Sequence, residues 1–197
     1  FDRLLSLKKV MPLLGYRTET ADGKRPLPSA PYYDLATWHR INRLYNQKTM
    51  LELRSTAREA AQPELVERMI EVVNERLGHR LAGRVEEAKI ALTDQLSTRF
   101  SFATEASVIE TDIAQTDLDA ALADSVDRIE TTIRNALASA EVTTEAIDTL
   151  ILTGGSTQVP VVSRRIRELL PNARAVSTDA FGSVGLGLAL DAKRKFA

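Results

Sequence analysis

The run Leu150-Ile151-Leu152-Thr153-Gly154-Gly155-Ser156-Thr157, followed by the apolar positions Val162, Ile166, Leu169 and Leu170, has the residue types that can hold an anion. A strand ending in two glycines lets a ligand approach the backbone where a side chain would block it. The helix that follows offers unpaired N–H groups and a positive dipole end. This chemistry suits a nucleotide, although Gly-Gly also serves as a plain strand-to-helix turn. Neither G-x-x-x-x-G-K-[ST] nor G-x-G-x-x-G is present. A second group is Asp179-Ala180-Phe181-Gly182-Ser183-Val184-Gly185-Leu186-Gly187. Each helical glycine costs about 1 kcal/mol relative to alanine, which close packing of helix on sheet would offset, as would a ligand at the helix N-terminus. Packing is the favoured expectation. A third group is Glu86, Lys89 and Thr93, whose spacing places them on one stripe of a helix, where a Glu-Lys pair is commonly a solvated surface pair.

Other chemistries are argued against by what the chain contains. Cysteine is absent, which removes disulfides, thiol nucleophiles and Cys-ligated zinc, and favours a reducing compartment, so a cytoplasmic location is expected. His39 and His79 are far apart and neither lies in an H-E-x-x-H frame, so no metal ligand and no catalytic histidine is assigned. In 197 residues, 26 Lys+Arg against 27 Asp+Glu leave a charge of −1, which argues against a nucleic-acid arm. A composition of 44% hydrophobic and 27% charged residues is that of a soluble globular chain. No apolar run approaches the ~18 residues of a membrane span. The chain opens on Phe1, and so is expected to be a piece of something longer.

The elements that must position these groups follow from periodicity. Leu4, Leu5, Leu7, Val10 and Leu14 predict an opening helix that stops at Gly15. Asp22-Gly23 and Pro26, Pro28 and Pro31 predict a loop over 16–33. Asp34 is the expected N-cap of a helix reaching Tyr45, with another over 48–61. From Pro63, the stripe Leu65, Met69, Val72, Val73, Leu77, Leu81, Val85, Ala88 and Leu92 predicts one long helix. Thr98, Phe100 and Phe102 alternate with polar residues, and 106–113 is β-branched, which predicts a hairpin turning near Thr104-Glu105. Thr116 and Asp119 predict a capping box opening a helix with Leu118, Leu122, Val126, Ile129, Ile133 and Leu137 on one face. Beyond Asp148 the pattern is α/β: a strand at 150–152 covered on both faces, a helix ending at Pro171, a strand over 173–177 and a last helix over 182–194.

Taken in order, the three groups resemble the actin-like ATPases, and most closely the nucleotide-binding domain of the DnaK-type chaperones, the seventy-kilodalton heat-shock proteins. Gly154-Gly155-Ser156-Thr157-Gln158-Val159-Pro160 is similar to that family's G-G-S/T-x-x-x-P adenosine motif. Thr178 to Gly187 is similar to its P-x-D-E-A-V-A-x-G-A-A segment, and Glu86-Glu87-Ala88-Lys89-Ile90-Ala91-Leu92-Thr93 to its E-x-A-K-x-x-L-S helix. Phe1-Asp2-Arg3-Leu4 resembles the end of G-G-x-D-F-D-x-R-L.

The resemblance implies an α/β chain forming lobe II of the actin-like, ribonuclease H-like fold. Residues 1–20 and 115–197 would be an inner subdomain, and 21–114 a helical outer subdomain with a small hairpin. It implies ATP or ADP as cofactor, with Mg held elsewhere in the parent protein. Glu86, Lys89 and Thr93 would hydrogen-bond adenosine, Gly154, Gly155 and Ser156 would approach ribose and phosphate, and Asp179 would sit behind the turn. It also implies as partners the N-terminal lobe of the same chain and a nucleotide-exchange or co-chaperone protein, with no nucleic acid and no membrane. No D-x-G-T-T phosphate loop or phosphate-reaching Lys is present, so these residues are not expected to hydrolyse ATP alone and none is assigned as catalytic. Ile90 and Gln158 stand where the family carries arginines, which removes cation–π stacking of about 1–2 kcal/mol. The Pro26–Tyr33 stretch resembles divergent bacterial DnaK-like chaperones. The alternative reading is a pseudo-ATPase that keeps the fold as an interaction module, with the early Tyr and Trp residues as contact surface.

Overall fold

The computed structural model of the chain describes residues 1–177 and 182–196. Its contacts divide it into two compact units, 1–122 and 123–197. The first unit is mainly helical with one antiparallel hairpin; the second combines helices with a short parallel strand pair.

In the first unit α1 (Asp2–Leu5) continues as a wide π turn over Ser6–Val10 and a tight 3-10 turn over Met11–Leu14. It stops at Gly15 as expected, with φ +96°. A Cβ there would lie 2.9 Å from the Tyr32 hydroxyl, so both the backbone angle and the neighbour demand glycine. The expected loop over 16–33 is shorter, because α2 (Ala30–Leu35) begins inside it. Pro31 falls in the first helical turn, where no intrahelical N–H is needed. Asp34 is therefore not an N-cap. It lies in the last turn of α2, its carboxylate 3.6 Å from Arg40, and Trp38–Leu44 is a separate 3-10 segment. α3 (Gln47–Glu59) is capped by Asn46, whose Oδ1 accepts the Thr49 N–H at 2.9 Å.

The single long helix predicted from Pro63 is two: α4 (Pro63–Asn74) and α5 (Gly78–Ala91). Between them Arg76 takes φ +56° and the Leu77 N–H reaches back to the Val72 carbonyl at 2.9 Å. The apolar stripe crosses the break, so its period does not reveal it. The cause is tertiary: a Cβ on Gly78 would lie 2.5 Å from Ile41 Cγ2 and 2.8 Å from Tyr45 Oη, which accepts the Gly78 N–H at 3.0 Å.

α5 packs on the hairpin β1 (Ser97–Ala103) and β2 (Val108–Ala114), which turns where expected. Phe100, Phe102, Ile109 and Ile113 are buried on one face, while Arg99 and Glu110 pair at 2.7 Å on the other. α6 (Gln115–Ser139) begins one residue before Thr116, and its cap is Asp117, not a Thr116/Asp119 box. Asp117 Oδ2 accepts the Ala114 N–H at 3.0 Å and pairs with Lys9 at 2.9 Å.

In the second unit β3 (Thr149–Leu152) and β4 (Arg174–Ser177) are parallel, with Leu150 opposite Ala175 and Leu152 opposite Ser177. α7 (Pro160–Leu169) buries Val161, Val162, Ile166 and Leu169. Arg165 on α7 holds Glu130 at 2.5 Å and Asp127 at 3.0 Å, both on α6; the ion pair to Arg165 keeps the Glu130 carboxyl below its usual range. The expectation that the strand is covered on both faces is not met among the described residues: Leu152 is buried, but Ile151 is 62% exposed. The last helix, α8 (Ser183–Phe196), leaves Leu186, Leu188 and Leu190 exposed.

Two stability measurements follow from the first unit. Gly78→Ala should lower stability by about 1–3 kcal/mol in urea denaturation, because overpacking against Ile41 and Tyr45 outweighs the helix propensity gained. An unchanged midpoint would contradict the close approach. Burial pushes the Tyr32 hydroxyl from 10.0 up to about 12, and it finds no hydrogen-bond partner among the described residues. The folded state thus favours the neutral phenol, so this stabilisation is complete below pH 10 and lost as pH rises towards 12. Tyr32→Phe should flatten that alkaline fall and raise stability at neutral pH by up to about 1 kcal/mol.

Candidate functional site

Two of the three residue groups are described structurally, each in its own unit. On α5 the buried positions Leu81, Val85 and Ala88, with Leu92 at the C-cap, fix the rotation of the helix. Glu86 and Ile90 consequently point to solvent, Ile90 being 57% exposed. Thr93 lies in the turn just past the helix, half-buried, its N–H on the Ile90 carbonyl at 2.9 Å. Of the predicted stripe Glu86, Lys89 and Thr93, Glu86 is thus exposed, while Lys89 and Thr93 are half-buried.

Lys89 is not a free cation. Its Nζ sits 2.7 Å from Asp2 Oδ1, and its side chain is only 19% exposed. Asp2 was missed as a site residue, since helical spacing cannot signal a partner so distant in sequence. Glu86 also borders a cavity of about 230 Å³ with Phe1, Asp2, Arg3 and Trp38. Trp38 is 60% exposed, its ring 4.7 Å from His79 and edge-on. Tyr16 and Tyr32, by contrast, are buried, their rings tilted against each other with centroids 5.6 Å apart, so the early aromatics split between core and surface.

In the second unit the turn after β3 places Gly154 at φ +85°, ψ 149°, a conformation that disfavours any L side chain. Among the described residues a Cβ there would meet nothing within 4 Å, so the requirement is one of backbone conformation. Gly155–Gln158 forms a 3-10 turn, secured by the Thr157 N–H and Oγ1, which both donate to the Gly154 carbonyl, at 3.1 and 2.8 Å. Gly155, Ser156 and Gln158 are exposed, and Pro160 starts α7 immediately afterwards. Such a turn can present backbone N–H groups and a hydroxyl to an anion.

Asp179 lies outside the described residues. Within α8, Cβ atoms on Gly185 and Gly187 would meet nothing within 4 Å, so the packing expected to require these glycines is not seen among the described residues. No cluster of three His, Cys, Asp or Glu able to hold a metal occurs among the described residues. No described helix is long and apolar enough to cross a membrane.

The family model described as Hsp70 protein matches residues 62–193, from the start of α4 through most of α8. The chain belongs to the Hsp70 family. Heat shock 70 kDa protein 7, chloroplastic, from Arabidopsis thaliana is 33% identical over 119 residues, covering 57% of this chain and 17% of that protein. A chaperone protein HscA homolog from Chromobacterium violaceum is 32% identical over 110 residues, 55% of this chain and 18% of its own length. Chaperone protein dnaK of Emiliania huxleyi is 33% identical over 115 residues, 54% of this chain and 18% of its own. The aligned stretch thus spans under one-fifth of these Hsp70 relatives' length.

Gly154→Ala should cost about 1–2 kcal/mol of stability, from backbone strain alone, whereas Ser156→Ala should change it by less than about 0.5 kcal/mol. Equal effects in thermal denaturation would contradict the left-handed turn.

Proposed function

We propose that this Hsp70-family chain forms the adenosine-binding side of a chaperone nucleotide cleft, corresponding to lobe II of the actin-like fold. In this reading residues 1–20 and 115–197 act as the inner subdomain and 21–114 as the outer. The observation that carries the proposal is the Gly154 turn, a positive-φ glycine with no neighbour beside it among the described residues, from which a 3-10 turn leads to the N-terminus of α7 within the Hsp70-matched stretch. Glu86 and Thr93 would hydrogen-bond the adenine and ribose of ATP or ADP, with Lys89 held in place by Asp2. Gly154, Gly155 and Ser156 would meet ribose and phosphate, Gln158 would border them, and Asp179 would stand behind the turn. Mg would be bound by other parts of the parent protein. Ile151, Leu186, Leu188 and Leu190 are exposed and apolar, which supports a further lobe of the same chain as a partner. A nucleotide-exchange or co-chaperone partner, a role in stress response and a cytoplasmic location belong to the same proposal, the last resting on the absence of cysteine.

ATP hydrolysis by these residues alone is not part of the proposal. Exposed Ile90, where the resembling family carries an arginine, favours a second reading in which the fold is kept as an interaction module without turnover.

Calorimetry with ADP on the full-length protein separates the two. Binding that is lost in Gly155→Asp, and tightened roughly tenfold in Ile90→Arg by a restored cation–π contact, supports the nucleotide reading. Absence of ADP binding, with Gly155→Asp neutral, supports the module.

A further inference from the structure

A solvent-open cavity in the first unit lies between the Pro-rich segment, the 3-10 segment and α3. It measures about 470 Å³ and is open to solvent on one side. That is within the roughly 300–1,000 Å³ usual for small-molecule sites. Its lining residues fall between 20 and 59, outside the stretch 62–193 that the family model matches.

Its chemistry is amphipathic. Leu27, Leu44 and Leu53 form an apolar floor, each at most 5% exposed, flanked by Pro28 and Pro31. The charged groups of the rim are mostly paired: Arg25 with Glu59, Asp34 with Arg40 at 3.6 Å, and Glu52 with Lys48 at 3.9 Å. Arg43 is the exception. Among the described residues its guanidinium has neither an ion pair nor a hydrogen bond, and it is exposed at the cavity wall. The floor is poorly suited to an extended peptide, since prolines donate no N–H and the α3 backbone is already bonded within its own helix. A hydrocarbon body needs no such partners, and a single anionic head would meet the one unpaired cation.

We propose that this cavity binds a small amphiphilic carboxylate, its apolar body on Leu27, Leu44 and Leu53 and its carboxylate on the Arg43 guanidinium. A guanidinium accepts a carboxylate in bidentate geometry, so the head group should be discriminated from its neutral amide.

Octanoate and octanamide, titrated separately into the full chain and followed by amide NMR shifts, test this. Octanoate should perturb Leu27, Leu44 and Leu53 and bind roughly fivefold more tightly than octanamide, as expected of one charge-assisted contact at a solvent-open rim. Arg43→Gln should bring the two probes level while leaving octanamide binding unchanged. Ser55→Trp, at an exposed position of the same wall, should fill the space and abolish both, with circular dichroism showing the fold retained. Equal binding of both probes to the unaltered chain, a preference that survives Arg43→Gln, perturbations confined to other regions, or unchanged binding in Ser55→Trp would each overturn the assignment.

Discussion

The close approach of the Gly78 backbone to Ile41 and Tyr45 is the constraint on which the first unit depends. Because no Cβ fits there, the chain can turn at Arg76 and bring the N-terminus of α5 hard against the 3-10 segment. The Tyr45 hydroxyl then satisfies the Gly78 N–H, one of the donors a helix start leaves without an intrahelical partner. Everything downstream inherits that placement. α5 buries Leu81, Val85 and Ala88, carries Lys89 to Asp2, and lays its side on the hairpin, with Arg80 over the Phe102 ring.

The second unit is governed by a different balance. Its two parallel strands are short, and one carries Ile151 exposed where a parallel sheet is ordinarily covered. Order there comes instead from the apolar face of α7 and from Arg165, whose guanidinium spans two carboxylates of α6. The glycine turn sits at the end of this sparse sheet.

Element types were legible wherever a local rule decides the outcome. The hairpin was readable because Phe100 and Phe102 alternate with polar residues, and the Gly15 stop because only glycine tolerates that backbone angle. The failures share a physical cause. The α4–α5 break, the Asp117 cap and the start of α2 at Ala30 depend on contacts or on a Pro position that a periodic pattern does not weigh. Among candidate site residues, spacing placed Glu86, Lys89 and Thr93 on one stripe, and only the family resemblance made them candidates. Asp2 and Trp38 were not, because they come from chain segments far away in sequence.

By itself the sequence determined the ordered motifs, the family they belong to, and the turn chemistry of Gly154-Gly155-Ser156. These are local matters of backbone freedom and side-chain type, and they survive being read one segment at a time. Only the tertiary structure decided that Lys89 is engaged by Asp2, that Ile90 faces solvent, and that residues 20–59 enclose a cavity with one unpaired arginine. Burial and pairing are properties of segments brought together across long stretches of chain, and no periodicity within one segment encodes which partner will meet it.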